Sequence, residues 1–278
     1  MNIVAWNLRF GGRVNNRVHW QRVFDVAAPD IFLAQETCSP DKYLSSEQHA
    51  QFGRRIHWSR VGNVSWGSAV FVRSGRVRPI DVPGYSGYVA GVEVSGFDWP
   101  LSTQTQSISS GTARRPTPNP IDTPRAVQSR ERERGVSKKR LRIFSVHVPA
   151  PYKRPMNEIL DYIAALPNAH ACDHIIGGDF NLTTGVRHPT EKRQAHDLWL
   201  LERLRKEFNL MNCWQVANPN RNLPQTLRWG RDTSEAYHCD AIFVPASWYR
   251  YLDGCEVLSS PDWNVLSDHN PVVARLSD

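Results

Sequence analysis

The chain opens with a strand–helix–strand pattern in which both strands end in polar residues. The first predicted strand runs from Asn2 to Asn7, and the second, Ile31-Phe32-Leu33-Ala34, leads into Gln35-Glu36. Between them, apolar residues recur with helical spacing at Trp20, Val23, Phe24 and Ala27. Spacing of i, i+3, i+4 and i+7 predicts an amphipathic helix. This order of elements favours an α/β fold with polar side chains at its strand ends.

The same pattern returns in the second half of the chain. A strand from Leu141 ends at His147, and the apolar run His174-Ile175-Ile176 leads into Gly177-Gly178-Asp179-Phe180-Asn181. Helices are predicted from about Pro155 and from about Ala195 to Phe208. The two glycines predict a tight turn. On extended backbone, Asp179 and Asn181 would point to the same side.

Further strands are predicted before and after these elements. Trp66 to Arg73 and Tyr88 to Val94 are strand-like, and their short connection predicts antiparallel pairing with each other. Later strands cover Asp240 to Val244, Glu256 to Leu258 and Pro271 to Leu276. The last one directly follows Ser267-Asp268-His269-Asn270.

One segment, residues 101–139, departs from this pattern. Ser, Thr, Gln, Pro and Arg dominate it, and from Asp98 to Arg142 there are ten Lys or Arg against four Asp or Glu. Such a stretch buries too little apolar surface to offset the entropy of ordering. We interpret residues 1–278 as a single domain with a flexible basic insertion at about 101–139. The insertion is either a passive solvated loop or an arm that touches a polyanion backbone.

Charge, hydropathy and cysteine usage limit the partners and the compartment. The net charge of +7 permits an anionic partner such as nucleic acid. No run approaches the ~18 apolar residues of a membrane span, and the N-terminus shows no secretory signal. The five cysteines have neither zinc-ligand nor redox spacing. These features predict a cytoplasmic protein with reduced thiols and no membrane span.

Eight polar residues fall at the ends of predicted strands and are candidates for one site: Asn7, Glu36, His147, Asp179, Asn181, Asp240, Asp268 and His269. Ligand sites of open α/β folds gather at strand ends and in the loops beyond them. Glu36 and Asp268 offer hard oxygen ligands, and Asn7 offers a third. Such a set suits Mg²⁺ or Mn²⁺ rather than zinc.

The remaining candidates suit phosphoester chemistry. Asp179 can accept a proton from water or hold the water in line, and Asn181 can donate to a phosphoryl oxygen as charge develops. His147 and His269 can act as acid, base or phosphate donor near neutral pH. Asp240 would orient an imidazole by accepting its N–H.

Six short motifs carry a family resemblance: Ala5-Trp6-Asn7, Gln35-Glu36-Thr37, Ser145-Val146-His147, Gly178-Asp179-Phe180-Asn181, His238-Cys239-Asp240-Ala241-Ile242-Phe243 and Ser267-Asp268-His269-Asn270-Pro271. In kind and in order they resemble the endonuclease/exonuclease/phosphatase superfamily, which includes deoxyribonuclease I and exonuclease III. The motifs extend over nearly the whole chain. One such motif is a weak signal, whereas six in order are a strong one.

The resemblance implies a deoxyribonuclease I-like, four-layer α/β/β/α sandwich of two packed mixed sheets flanked by helices. It also implies roles for the candidates. Asn7, Glu36 and Asp268 would hold the divalent metal, and Asp179 and Asn181 would position the nucleophilic water and the phosphate. His269, oriented by Asp240, would be the general base or a phosphate ligand.

The resemblance also gives His147 a contact with the scissile phosphate. The sequence offers Glu93 as the partner of its ring. Three tryptophans near predicted strand ends, Trp66, Trp229 and Trp263, could stack on a base or a lipid. Packing in the core is the favoured account of each.

Three functions follow from these features. The first is a metal-dependent phosphodiesterase, a hydrolase that cleaves nucleic acid, DNA before RNA, by in-line attack of water and acts as a monomer. The second is a phosphoesterase acting on a small or lipid phosphoester, such as an inositol phosphate or a sphingomyelin-like substrate. The third is a non-catalytic nucleic-acid-binding protein. The fold does not decide among them, because substrate choice depends on loops.

Overall fold

Two mixed β-sheets of six strands each form the centre of the molecule. The computed structural model describes residues 1–9, 16–42, 44–52, 55–97, 140–182, 191–228 and 237–277. The basic segment at 101–139 and Trp229 lie outside the described residues. Helices cover the outer face of each sheet, so the predicted four-layer α/β/β/α sandwich is confirmed.

In chain order the strands are β1 (Asn2–Asn7), β2 (Ile31–Cys38), β3 (Ile56–Arg60), β4 (Trp66–Val72), β5 (Arg76–Ile80), β6 (Val89–Ser95), β7 (Arg140–His147), β8 (Cys172–Asp179), β9 (Leu210–Asn212), β10 (Asp240–Pro245), β11 (Leu252–Val257) and β12 (Val272–Leu276). The helices are α1 (Asn16–Ala27), α2 (Ser46–Phe52), α3 (Lys153–Ala165), α4 (Glu191–Phe208), α5 (Cys213–Ala217) and α6 (Pro261–Asn264). The helices predicted from sequence are confirmed as α1, α3 and α4.

The first sheet has the order β11-β12-β1-β2-β4-β3, and the second has the order β5-β6-β7-β8-β10-β9. Each contains one parallel pair, β1 with β2 and β7 with β8. A helix connects the strands of each pair, α1 in the first and α3 in the second. Parallel neighbours need such a crossover because the chain must return to the same end of the sheet.

Strand β1 illustrates why these runs are apolar throughout. Ile3 and Ala5 belong to the core between the two sheets, whereas Val4 and Trp6 pack with Trp20 of α1. Side chains alternate across a strand, so a strand covered on both faces needs apolar residues at every position. On the far side, α3 and α4 cover the second sheet in the same way.

The predicted pairing of the strands at Trp66 to Arg73 and Tyr88 to Val94 is wrong. The first became β4, which pairs with β2 and β3. The second became β6, which lies in the other sheet between β5 and β7. The intervening strand β5 pairs with β6, so the chain passes from one sheet to the other between Val72 and Arg76.

The predicted turn at Gly177 and Gly178 is also wrong, because both glycines lie inside β8. A Cβ at Gly177 would come within 2.7 Å of Leu33 Cδ1 in the other sheet. At Gly178, where φ is +136°, it would lie 2.1 Å from the carbonyl oxygen of Val146. The glycines therefore serve close packing beneath the strand end rather than a change of direction.

Two predictions, on membrane-spanning helices and on disulfide bonds, can be compared with the described residues. Within these ranges, no helix is long and apolar enough to cross a membrane. All five cysteines fall in the described ranges, and none of them forms a disulfide bond.

Candidate active site

Strand register brings the eight candidate residues to one end of the two sheets. Parallel pairing sets Asn7 beside Gln35 in the first sheet and His147 beside Asp179 in the second. The antiparallel strand β10 starts at the same end, because Asp240 pairs with Asp179. Strand β12 runs against β1, so the Asp268-His269 segment that precedes it also reaches this end.

Asp179 lies at the centre of the group and is 2% exposed. Its Oδ2 accepts a hydrogen bond from Asn7 Nδ2 at 3.0 Å. The same oxygen lies 3.8 Å from His269 Nε2 and 3.9 Å from His147 Nε2. One carboxylate oxygen from the second sheet thus faces an amide and two imidazoles.

Asp240 binds one ring nitrogen of His269, and the other ring nitrogen faces Asp179. The ring nitrogen Nδ1 lies 2.9 Å from Asp240 Oδ2, and both side chains are buried. Burial by itself would lower the pKa of His269, but the negative charges of Asp240 and Asp179 and the hydrogen bond raise it to about 10. Burial raises the pKa of Asp240 to about 6, with His269 opposing that shift. The raised pKa of His269 beside the Asp240 carboxylate favours an imidazolium, in which Nε2 carries a proton towards Asp179.

The predicted metal ligands are brought together in part. Asn7 Nδ2 donates to Glu36 Oε1 at 3.2 Å as well as to Asp179, while Asn7 Oδ1 accepts from the Arg9 N–H at 2.9 Å. The third predicted ligand, Asp268, is paired with Arg9 instead, its Oδ2 lying 3.4 Å from Arg9 Nε.

The amide nitrogen of Asn7 therefore bridges the carboxylates of Glu36 and Asp179. Asp268 does not share in this bridge and contacts Arg9.

The surroundings of these carboxylates fit a divalent cation. Among the described residues, no Lys or Arg contacts Asp179 or Asp240. Ligand atoms of Asp179, Asp240 and His269 also lie within 4.8 Å of one another. Because Nδ1 of His269 is engaged by Asp240, the side that carries the carboxylates of Glu36 and Asp179 suits a hard cation better.

His147 contacts the acids of both sheets. Its Nε2 lies 3.6 Å from Glu36 Oε1, and its Nδ1 has no hydrogen-bond partner among the described residues. The rings of Trp66 and Tyr88 lie beside it, each with its centroid 5.8 Å from that of His147. The suggested partner Glu93 is wrong, because its carboxylate is bonded to Arg142 Nε at 3.1 Å and Arg78 Nη2 at 2.9 Å.

Asn181 lies next to Asp179, but not on extended backbone as predicted. Its φ is +50°, in the left-handed region that Asn tolerates better than most residues. The Asn181 N–H donates to Asp179 Oδ1 at 3.0 Å, and Nδ2 donates to the carbonyl of Val148 at 2.8 Å. Asn181 thereby fixes the second oxygen of Asp179 and leaves Oδ2 facing the site.

Three supporting residues are not among the eight candidates. Ser267 Oγ donates to the Asn7 carbonyl at 2.8 Å and accepts the His269 N–H at 3.1 Å. Thr226 Oγ1 accepts the backbone N–H groups of Cys239 and Asp240 at 2.9 and 3.2 Å. Gln35 Nε2 reaches across the sheets to Ser145 Oγ at 2.8 Å. Position was the available signal for two of them, since Gln35 and Ser267 each belong to one of the motifs.

The tryptophans near strand ends differ in their surroundings. Trp263 is 4% exposed and packs edge-on against Trp6 with centroids 5.3 Å apart, so the core account holds for it. Trp66 is half-buried and lies beside His147, at the margin of the site.

Comparison with solved structures finds the same fold in proteins described as nucleases and as a phosphatase. An AP endonuclease from Archaeoglobus fulgidus matches with a TM-score of 0.64 at 12% identity, and both chains are covered in full. A 3′–5′ exonuclease from Neisseria meningitidis matches over both full chains with a TM-score of 0.64 at 15% identity. A 3′ phosphatase from Neisseria, solved with a product DNA hairpin, matches over both full chains with a TM-score of 0.63 at 15% identity.

The comparisons by sequence gave no match. No family model matches this chain, and no curated protein matches it. The solved structures share 12–15% sequence identity with this chain, and at that level their similarity establishes the fold. All three structures share the fold that the resemblance implies.

Proposed function

We propose that this protein is a divalent-metal-dependent phosphodiesterase that hydrolyses nucleic acid, DNA in preference to RNA. The observation that supports it most is the convergence on Asp179, whose Oδ2 lies within 4 Å of Asn7, His147 and His269. Hydrogen-bond acceptors and donors are thereby held around one carboxylate oxygen. In-line hydrolysis of a phosphodiester needs such an arrangement, because water must be deprotonated while charge develops on the phosphoryl oxygens.

Each residue then has a chemical task. Asp179 Oδ2 accepts a hydrogen bond from the attacking water and takes its proton, while the Asn181 N–H and the Asn7 amide hold the carboxylate in place. His269 donates from Nε2 to a non-bridging phosphoryl oxygen, because Asp240 engages Nδ1. His147 contacts the same phosphate and assists the leaving oxygen. General-base action by His269 is the alternative assignment, and it requires a neutral ring.

We assign the cation to Asn7, Glu36 and Asp268, with Mg²⁺ or Mn²⁺ as the ion. Asp268 would exchange its contact with Arg9 for the ion, and Asn7 would present its amide oxygen in place of the nitrogen. When bound, the ion supplies positive charge that polarises the phosphoryl oxygen. Addition of Mn²⁺ should raise the melting temperature, because a ligand that binds only the folded state stabilises it. The Glu36→Gln variant should lose most of that rise and Asp253→Asn, in β11 at the opposite end of the sheet, should keep it. Equal rises in both variants would remove Glu36 from the site.

DNA is the favoured substrate for two reasons. The net charge of +7 suits a polyanion. The structures with the same fold are named as an AP endonuclease, a 3′–5′ exonuclease and a 3′ phosphatase bound to DNA. The second candidate, a phosphoesterase on small or lipid substrates, would use the same catalytic residues. The third, a non-catalytic binding protein, fits less well because all eight candidate residues are present at one end of the fold.

We further propose a cytoplasmic monomer. Five cysteines without a disulfide bond fit a reducing compartment. Light scattering after size-exclusion chromatography tests the oligomeric state, and a dimer mass at micromolar concentration would refute the monomer.

A turnover panel tests the proposed function. Supercoiled plasmid, single-stranded DNA, RNA and small phosphoesters are incubated with Mg²⁺, Mn²⁺ or EDTA. We expect cleavage of DNA that EDTA abolishes. The Asp179→Asn variant should lose it, and Asp253→Asn, an exposed site at the far end of β11, should retain it. Turnover confined to small phosphoesters would favour the second candidate, and DNA binding without turnover would favour the third.

A further inference from the structure

A cavity of about 450 Å³ lies beside the catalytic residues, behind the segment that carries Asp268 and His269. Its walls include Arg228 and Asn270. Leu227 pairs with His269 as an antiparallel bridge, and the Arg228 N–H donates to the Asp268 carbonyl. Since successive side chains alternate on extended backbone, the same two segments present His269 to the site and Arg228 and Asn270 to the cavity. The cavity is in the size range of small-ligand pockets.

The two acceptors that bind the Arg228 guanidinium in the described part of the chain are neutral groups. Its Nη1 donates to Asn270 Oδ1 at 2.5 Å, and its Nη2 donates to the Ser267 carbonyl. Partial burial lowers the pKa of Arg228, and the charge of Asp268 opposes that shift. Among the described residues no carboxylate oxygen lies in contact with the guanidinium. A partly desolvated cation without an anionic partner is costly, so an anion in the cavity would be stabilised.

The other charged residues that line the cavity also leave it with excess positive charge. Arg221 is exposed at the cavity wall, and its side chain makes no hydrogen bond or ion pair with the described residues. Glu256 is the one acid among the described lining residues, and its carboxylate is engaged by Arg275. As far as the described residues go, the cavity therefore offers two cations and no uncompensated anion.

Trp214 adds a donor without a partner. The side chain lines the cavity, is 8% exposed, and has an Nε1 with no hydrogen-bond partner in the described part of the chain. Buried donors are nearly always paired, so an unpaired indole N–H beside a cavity points to an acceptor ligand. Phosphate oxygens would accept from the indole and from both guanidinium groups.

We propose that this cavity binds a second phosphate group of the nucleic-acid strand, next to the one that is cleaved, with Arg221 and Arg228 as its ligands. The inference rests on the proposed function and extends it from one phosphate to two. A free nucleotide carries the same phosphate chemistry and is the other source of such a group.

The test measures binding without turnover. A fluorescein-labelled DNA duplex is titrated, at several salt concentrations in EDTA, with the full chain carrying Asp179→Asn. Added Arg221→Met or Arg228→Met should weaken binding several-fold. Each should also reduce the slope of log Kd against log salt by about 0.9, the value for one lost phosphate contact. Arg250→Met is the matched control, because Arg250 is exposed beyond the far end of β10.

Arg228→Met could weaken binding by disturbing the segment that carries Asp268 and Asn270, because Arg228 bonds Asn270 and Ser267. Arg221→Met lacks this complication, because Arg221 does not bond that segment. Equal effects of all three substitutions would overturn the proposal, as would no effect from Arg221→Met and Arg228→Met. Calorimetry with inorganic phosphate and deoxynucleoside 5′-monophosphates distinguishes the sources. Binding of free nucleotide that Arg221→Met removes, with strand binding unchanged, would also overturn the strand assignment.

Turnover of DNA by the parent chain decides the proposed function separately. A chain that cleaves DNA but whose Arg221→Met and Arg228→Met variants bind like Arg250→Met keeps its function and has no such phosphate site. A chain that does not cleave DNA but binds it through both arginines loses the proposed function and keeps the phosphate site.

Discussion

His269 donates its Nδ1–H to Asp240 Oδ2 across 2.9 Å, and the two residues are 6% and 0% exposed. The bond joins the loop before β12 to the first residue of β10, and so connects the two sheets at the candidate active site. It also determines which ring nitrogen remains for chemistry, because Nε2 is then directed at Asp179, 3.8 Å away.

Replacement of Asp240 by Asn should therefore impair catalysis more than folding. An amide retains the shape of the carboxylate but cannot hold the ring in the same tautomer or stabilise its positive charge. We expect kcat to fall on the order of 10³–10⁴-fold with little change in KM. Kinetics on a DNA substrate, with circular dichroism as a folding control, check this. A kcat within threefold of the parent value would contradict the assigned role.

Ser267→Ala should lower stability as well as activity. The hydroxyl bridges the Asn7 carbonyl and the His269 N–H, at 2.8 and 3.1 Å. Its loss leaves two buried backbone groups unpaired, so the free energy of unfolding should fall by about 1–3 kcal/mol. Urea denaturation measures this. Ser277→Ala, an exposed hydroxyl that bonds Asp253 at 2.7 Å, is the control and should change stability by less than about 0.5 kcal/mol.

Gly178→Ala should be among the most destabilising single methyl additions in this chain. The new Cβ would lie 2.1 Å from the Val146 carbonyl oxygen and 2.7 Å from Gln35 Nε2, and φ is +136°. Backbone atoms must move, so we expect a loss of more than about 3 kcal/mol. Gly84→Ala separates steric overlap from backbone strain, since φ is +79° at Gly84 and no atom lies within 4 Å of the added Cβ. That control should lose only about 1–2 kcal/mol, and equal losses would disprove the steric account.

His174 should make stability depend on pH. Burial of the ring, with a smaller contribution from Arg142, lowers its pKa from 6.5 to about 4. The unfolded chain therefore binds the extra proton first. Stability from this residue is complete above pH 6.5 and is lost as the pH falls towards 4, by at most about 3 kcal/mol.

His174→Phe removes the proton site and suits neighbours Phe144 and Phe208, whose centroids lie 6.4 and 6.0 Å away. The difference in unfolding free energy between pH 7 and pH 4.5 should shrink in His174→Phe. It should remain in His170→Gln, where the ring is exposed. A shrinkage of equal size in both variants would contradict the assignment to His174.

The order of elements and the candidate residues could be predicted from sequence because both depend on local patterns. Asn7, Glu36, His147 and Asp179 each end an apolar run, and the end of a buried strand is where a polar side chain can meet solvent or ligand. Parallel pairing of β1 with β2 and of β7 with β8 then brings those ends together.

Contacts between sheets were not predictable in the same way. The strands at Trp66 and Tyr88 are close in sequence and belong to different sheets, because strand pairing is decided by which apolar faces can be covered. Gly177 and Gly178 resembled a turn, and only the neighbouring sheet shows that they make room for Leu33 and Gln35. The sequence predicts Glu93 as the partner of His147, whereas in the structure three arginines surround the carboxylate of Glu93.

The sequence by itself determined an α/β chain whose polar strand ends match one superfamily, since periodicity and short motifs are properties of neighbouring residues. Tertiary structure alone decided that Asp179 faces Asn7, His147 and His269 and that Asp268 pairs with Arg9. It also decided that Arg228 lines a cavity and meets no carboxylate in the part of the chain that the structure describes. Those relationships join residues far apart in the chain. Their distances follow from the packing of two sheets, which no local pattern encodes.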